Sequence, residues 1–122
     1  ELREKIMAYV SQEMKKKLAP TIKAVLKEFG IKGSISVNNH STLVVTIKEG
    51  ALDFGGDYVQ VNPYWIDSHY GGVARKFLNK LLDAMKGPDF FDHSDPQTDY
   101  FHRSHYVDIN VGRWDQPYQK VA

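Results

Sequence analysis

The chain has 122 residues, 42% of them hydrophobic and 25% charged, with a formal net charge of +1 and no cysteine. This composition is typical of an ordinary globular protein, and the lack of cysteine excludes a disulfide framework and a thiolate metal site. No apolar run approaches the ~20 residues that span a bilayer, and the start lacks the regions of a signal peptide, so we expect a cytoplasmic protein without a membrane partner.

In chain order, residues 1–7 are interpreted as an N-terminal extension or a cloning remnant, and residues 8–118 as a single α+β domain. The first predicted element is a helix over residues 11–29, in which apolar residues recur at steps of three and four. Gly30 is suited to its C-terminal end, whereas Pro20 predicts a kink or a division into two helices.

Three strands are predicted after this helix. Residues 33–50 read as a β-hairpin, because apolar and polar residues alternate on both sides of the polar turn 38–41. That turn contains two asparagines, which tolerate the positive φ of tight turns. Residues 57–62 predict the third strand.

A second helix is the clearest element of the sequence. We expect it to begin near Asp67 or Ser68 and to stop at Gly87, which precedes a proline. Its predicted apolar face consists of Val73, Phe77, Leu78, Leu81, Leu82 and Met85. A long aromatic and acidic loop over residues 89–104 then leads to a fourth strand within residues 105–114.

The order of elements is therefore α-β-β-β-α-β. Because each strand has one apolar face, the sheet should be covered on one side only, and two amphipathic helices suffice to cover it. The expected fold is an α+β two-layer sandwich with a four-stranded, mainly antiparallel sheet and two helices on one face.

The uncovered face of that sheet is the first candidate site. Its side chains donate and accept hydrogen bonds and carry little charge, which fits either a polar ligand or partner, or contact with water alone. As partner-binding residues we nominate Tyr58, Gln60, Tyr106 and Asp108, with His102 and His105 at the rim. The full expected face is Ser34, Ser36, Thr42, Thr46, Tyr58, Gln60, Asn62, Tyr106, Asp108 and Asn110.

The stretch VQVNPYWIDSHYGG, residues 59–72, is rich in aromatic residues. Tyr64, Trp65 and Tyr70 lie between the predicted third strand and the body of the second helix. They suit a ligand pocket, and they equally suit packing between the two layers, because their rings bury while their polar atoms reach a partner. We interpret the stretch as core packing, since aromatic residues are common in cores.

A cluster of histidines and aspartates offers one route to metal chemistry. His93, Asp95, Asp99, His102 and His105 fall within thirteen residues, and such ligands suit zinc, manganese or iron. Their spacing matches no defined metal motif. We therefore interpret them as part of a polar loop and expect no cofactor and no catalytic residues, with a metal-dependent enzyme as an alternative.

The first five elements also resemble the order of a double-stranded RNA-binding domain. That resemblance implies phosphate contacts from Arg75, Lys76 and Lys80 at the second helix. Residues 1–48 are net basic, with nine Lys or Arg against four Glu, whereas the rest is net acidic. The asymmetry fits a polyanion partner or simply a solvated lysine-rich helix. The stretch before the second helix departs from the family, since it is aromatic rather than basic.

Three longer segments resemble the large polyvalent protein-associated domains of phages and other mobile elements. They are MKKKLAPTIKAVLKEFGIKGSISVNNHSTLVVTIKEG, DYVQVNPYWIDSHY and DYFHRSHYVDINVGRWDQPY. The resemblance implies an accessory domain and supplies no activity. We accordingly expect a binding module for an unknown protein partner, with nucleic acid as the alternative and the oligomeric state open. The tail GRWDQPYQKVA is a candidate docking strand.

Overall fold

A computed structural model describes residues 12–39, 41–87, 105–113 and 115–121. The elements are helix α1 (Gln12–Glu28), strands β1 (Lys32–Asn38), β2 (Thr42–Gly50) and β3 (Val59–Val61), a 3₁₀ turn (Pro63–Trp65), helices α2 (Ile66–His69) and α3 (Gly72–Lys86), and strands β4 (Tyr106–Val111) and β5 (Gln119–Lys120). The predicted α+β class is confirmed. The predicted extension 1–7 and loop 89–104 lie outside the described residues.

The sheet is mixed and has about five strands, which corrects the expected four-stranded, mainly antiparallel sheet. Its strand order is β1-β2-β4-β3, with β5 beside the end of β2. The β1–β2 and β3–β4 pairs are antiparallel, whereas β4 and β5 both run parallel to β2. Parallel pairing requires a long crossover, and the chain between β2 and β4 provides one because it contains α3.

Helix α1 is one continuous element despite its proline. Pro20 lies inside the helix on its exposed side, where water can hydrate the carbonyl that a proline leaves without a donor. The predicted division into two helices is therefore wrong. The stop at Gly30 is confirmed: its φ is +66°, and the Ile31 N–H donates to the Leu26 carbonyl at 2.8 Å, as in a Schellman motif.

The hairpin turn follows the sequence prediction. Asn39 has a φ of +54°, the left-handed conformation that asparagine tolerates, and the Ser41 N–H donates to the Asn38 carbonyl at 3.3 Å. The turn therefore sets the register in which β1 and β2 pair.

The expected second helix is divided at Tyr70. Residues 66–69 form α2, Tyr70 and Gly71 are extended, and α3 then begins at Gly72. Asp67 was expected to cap a single helix, but its Oδ1 instead accepts a hydrogen bond from Asn79 Nδ2 at 3.0 Å. That bond ties α2 to the side of α3.

The core joins both long helices to one face of the sheet. Phe77, Leu78, Leu81 and Met85 of α3 are buried as predicted, but Val73 is 55% exposed and Ala74 is buried instead. The remaining core members on the sheet and α1 include Leu18, Ile22, Leu26, Leu43, Val45, Ile47, Ile109 and Val111.

The C-terminal segment is tied to its own sheet, so the tail is not the free docking strand that we expected. The Tyr118 ring is 5% exposed, its N–H donates to the Asp57 carbonyl at 2.7 Å, and its hydroxyl donates to the Leu52 carbonyl at 2.8 Å. Gly112 has a φ of +72°, and a Cβ there would overlap the Asp57 carbonyl oxygen. No helix in the described part of the chain is long and apolar enough to cross a membrane.

Candidate functional site

A row of short polar side chains crosses the sheet on the face opposite the core. Strand pairing sets Ser34 opposite Thr46, Thr46 opposite Asn110, and Asn110 opposite Gln60. Since alternate residues of a strand share a face, their neighbours two residues away extend the row into a surface. We call this surface the polar face; its polar members are Ser34, Ser36, Thr42, Thr46, Tyr58, Gln60, Tyr106, Asp108 and Asn110.

Burial distinguishes the two faces of the central strands. Val45 and Ile47 of β2 and Ile109 of β4 are completely buried. Thr46 and Asn110, which alternate with them, are only partly buried, and so is Asp108. The polar side chains of this face are therefore less covered than the core side chains, although Val44, which shares the face with Thr42 and Thr46, is itself buried.

An open depression of about 570 Å³ lies at one end of the polar face. It is lined by Tyr58, Gln60, Asn110, Gly112 and Arg113. Two of the nominated contact residues, Tyr58 and Gln60, thus meet in one concavity, together with an amide and a guanidinium. These groups offer hydrogen-bond donors and acceptors, but no general base paired with a nucleophile.

The other two nominated residues share the face but not the depression. Asp108 pairs with Val44 and Tyr106 pairs with Thr42, so they lie progressively farther along β4 from Asn110. Tyr106 is exposed, and its N–H donates to the Ser41 carbonyl at 2.9 Å. A partner that contacts all four residues must follow β4 along its length.

Arg113 is a site residue that the sequence analysis missed. It begins a tight turn in which its N–H and carbonyl exchange hydrogen bonds with Gln116, at 2.9 and 3.1 Å. Its Nε lies 3.6 Å from Asp115 Oδ1. The available signal was Gly112, because a glycine that ends a strand commonly turns the chain and redirects the next side chain.

A second open depression of about 400 Å³ adjoins the first and shares Arg113 with it. Lys32 and Lys48 also line it, with Thr46 from the polar row. Lys32 Nζ lies 3.5 Å from Glu49 Oε2, and both side chains are exposed. This end of the polar face therefore has mixed charge.

His105 does not lie at the rim, so that prediction is wrong. It precedes β4 in the alternation that points toward the core, is 1% exposed, and donates from Nε2 to the Met85 carbonyl at 2.9 Å. Burial lowers its pKa, because a desolvated imidazolium is unfavourable, and the hydrogen bond to Met85 opposes this only in part. His102 lies outside the described residues.

Metal chemistry gains no support from the residues described. Within the described ranges, no group of three or more His, Asp or Glu side chains is placed to hold a metal ion. His93, Asp95, Asp99 and His102 lie outside those ranges. His105 donates to a backbone carbonyl through one of its two ring nitrogens.

The three cations of the duplex hypothesis have different environments. Arg75 and Lys76 are exposed near the start of α3. Lys80 instead joins the helices, since its Nζ lies 3.0 Å from Glu28 Oε2 and 5.9 Å from the centre of the Phe29 ring. All three cations are exposed, and Lys80 differs from the other two in its ion pair with Glu28.

The aromatic stretch before α3 is largely exposed, so its interpretation as core packing is wrong for two of its rings. Tyr64 is 81% exposed and Trp65 is 52% exposed, whereas Ile66, the first residue of α2, is buried. Trp65 stacks on His69 with ring centres 6.0 Å apart and planes 17° apart. We call this surface the aromatic patch; it consists of Tyr64, Trp65, His69 and Val73.

Tyr70 agrees better with the prediction that this stretch packs in the core. Its ring meets the Phe54 ring edge-on with centres 6.4 Å apart, and partial burial raises its pKa. It therefore links the end of α2 to the core, which the two preceding aromatic rings do not.

Comparisons of the chain with protein-family models, with curated proteins and with solved structures found no match.

Proposed function

We propose that residues 8–118 form a single, non-catalytic binding domain that takes a segment of a protein partner on the polar face. In this proposal α1 and α3 form one layer and the sheet forms the other, so that one surface of the sheet is free for the partner. The observation that carries the proposal is the four-strand polar row from Ser34 to Gln60, which lies on the side away from the core.

The chemistry of the depression supports a polypeptide as the partner. Gln60 and Asn110 present amides that pair with peptide groups in both senses, as donors and as acceptors. Tyr58 is 62% exposed beside them. Tyrosine is enriched at protein interfaces, because a rigid ring supplies contact area at a low cost in conformational entropy.

The nominated residues of β4 define the path of the partner. Asp108 and Tyr106 continue the surface away from the depression, and they are followed by Thr42 on the neighbouring strand. An extended segment of about six residues spans ~20 Å, which matches the length of β4. The contact set is therefore Tyr58, Gln60, Asp108 and Tyr106.

A displayed library of random peptides tests this proposal. Binders are selected against the full chain, and the bound surface is mapped by the amide chemical shifts of the labelled protein. We expect the shifts to concentrate on β3 and β4, and we expect Tyr58→Ala combined with Gln60→Ala to reduce affinity at least tenfold.

Tyr64→Ala is the matched control, because it removes an exposed tyrosine from the aromatic patch and leaves the polar face intact. Binders that shift only residues outside β3 and β4, or that tolerate the double variant, would contradict the proposed site. Circular dichroism of each variant checks that the fold is kept.

We further propose that this module is a cytoplasmic accessory domain of phage or plasmid proteins. The support is the resemblance of the three sequence segments named above. The test is the position of the gene: neighbouring phage or plasmid genes would support the proposal, and a consistently chromosomal, housekeeping neighbourhood would contradict it.

A further inference from the structure

The aromatic patch is a second surface with chemistry of its own. Three of its four members, Tyr64, Trp65 and Val73, are large hydrophobic side chains that are more than half exposed. Exposing them costs free energy unless something covers them, since each apolar Å² left in water forgoes ~25 cal/mol. Because no polar-face residue belongs to this patch, it is independent of the proposed protein site.

The rings of this patch are held by a rigid support. Asn62 Oδ1 accepts from the Tyr64 N–H at 3.0 Å and so fixes the start of the 3₁₀ turn. Ile66 is buried and anchors α2 in the core. The bond from Asn79 to Asp67 then fixes α2 against α3. A surface prepared in this way loses little entropy when it binds.

Two exposed cations lie on the side of α3 that Asn79 ties to α2. Arg75 and Lys76 precede Asn79 by four and three residues, so all three lie on one side of α3. Asn79 reaches α2 through its bond to Asp67, and that side of α3 therefore faces the aromatic patch. The Asp67 carboxylate, which accepts this bond, is one acidic group against the two cations in this region.

The charge of the long helices extends this pattern. Helices α1 and α3 together carry nine Lys or Arg side chains against three Asp or Glu. A net positive surface concentrates a polyanion near the protein and speeds its association. An apolar protein pocket would gain nothing from this charge, whereas a phosphate backbone would.

We propose that the aromatic patch, with Arg75 and Lys76, binds single-stranded nucleic acid. Bases stack on Trp65 and Tyr64, and the two cations pair with the phosphates between those bases. Stacking on aromatic rings beside a positive surface is a general mode of single-strand recognition, and it tolerates any sequence because every base has a π-face. A paired duplex keeps its bases stacked inside and cannot use the rings.

Fluorescence of Trp65 tests the proposal directly. The chain has two tryptophans. Trp114→Phe therefore provides a background in which Trp65 is the sole indole emitter. Titration with a 15-nucleotide oligothymidine at low salt is expected to quench its emission saturably. For two phosphate contacts, the logarithm of the binding constant should fall with the logarithm of salt concentration with a slope of about −1.4.

Variants separate stacking from general attraction. Trp65→Ala, followed by fluorescence anisotropy of a labelled oligonucleotide, should weaken binding roughly tenfold or more. Lys76→Ala should reduce the salt slope by about 0.7. Lys120→Ala, which removes an exposed lysine from β5, and Tyr58→Ala, which alters the polar face, should change neither quantity.

Several results would overturn the proposal. They are the absence of quenching at low salt, an equal affinity for duplex DNA, equal quenching by polyglutamate, or a Trp65→Ala variant that binds as well as the parent. Because Tyr58→Ala lies outside the patch, failure here leaves the proposed protein site standing, and failure of that site leaves this proposal standing.

Discussion

The aromatic patch and the C-terminal segment (residues 105–121) contain the same kinds of side chain in opposite environments. Trp65 and His69 stack on one another at the surface, whereas Tyr118 and His105 are 5% and 1% exposed. Both regions are dense in ring side chains, and the rings named here lie outside the two long helices. Residue type therefore does not decide burial here; the position of the neighbouring backbone does.

The backbone contacts of the two regions explain the difference. At the junction before α3, Ile66 is the buried side chain between Trp65 and His69, and those two rings lie at the surface on either side of it. In the C-terminal segment, the backbone of Tyr118 bonds to Asp57, its hydroxyl bonds to Leu52, and its ring meets Phe54 with centres 5.3 Å apart. Three independent attachments fix this side chain in the core.

The largest expected contrast comes from truncating one ring in each region. Tyr118→Ala removes a buried aromatic side chain and should lower the free energy of unfolding by about 3–5 kcal/mol. Trp65→Ala removes an exposed ring and should change it by less than about 0.5 kcal/mol. Urea unfolding measures both. Similar losses in the two variants would contradict the described difference in burial.

Serine substituted for a glycine in the C-terminal segment and for one beside the aromatic patch gives a smaller contrast. Gly112→Ser places a Cβ against the Asp57 carbonyl oxygen at a φ of +72° and should cost about 2–3 kcal/mol. Gly71→Ser meets no atom within 4 Å and adds a capping side chain before α3, so it should be neutral or slightly stabilising. Thermal unfolding measures the two. A neutral Gly112→Ser would mean that the backbones are farther apart.

Removing a single hydroxyl sharpens the comparison further. Tyr118→Phe leaves the Leu52 carbonyl without its donor and should cost about 1 kcal/mol. Tyr64→Phe alters a hydroxyl on a ring that is largely in water and should have no measurable effect. Equal unfolding midpoints for Tyr118→Phe and the parent chain would show that water replaces the lost bond.

The buried His105 predicts a loss of stability in acid. The pKa of His105 is lowered in the folded state, so the unfolded chain binds a proton first as the pH falls. The contribution of neutral His105 is fully present above its unfolded pKa of about 6.5 and is lost below that value. The free energy of unfolding should therefore decrease between pH 7 and pH 5.

A glutamine variant assigns this slope. His105→Gln should flatten the dependence of the free energy of unfolding on pH in that range, because the titrating group is gone. A slope that persists in His105→Gln would contradict the assignment to this residue.

The ends of the helices and the faces of the strands were predictable from local patterns. Gly30 and Gly87 end α1 and α3 because glycine adopts positive φ at little cost, and each follows an apolar repeat. The alternation in β4 predicted that Ile109 would be buried and that Asp108 would belong to the other face, as observed. These features depend on near neighbours in sequence.

The features that depend on distant contacts were not predictable. Alternation gives the face of a strand but not its partner, so the parallel pairing of β4 with β2 was missed. Phe54 and Tyr118 lie outside periodic segments, and nothing local shows that they meet in the core. Arg113 lines the depression because it follows the turn at Gly112. Trp65 is exposed because the neighbouring Ile66, rather than Trp65, packs in the core.

The position of β4 between β2 and β3 has a consequence for synthesis on the ribosome. β3 leaves the ribosome before β4, yet the strand with which it pairs in the sheet is β4. The early hairpin and both long helices can form first, but β3 then has exposed backbone donors and acceptors until residue 111 emerges. Late closure of this kind slows folding and exposes an edge to other chains, so a ribosome stalled before β4 should yield an aggregation-prone product.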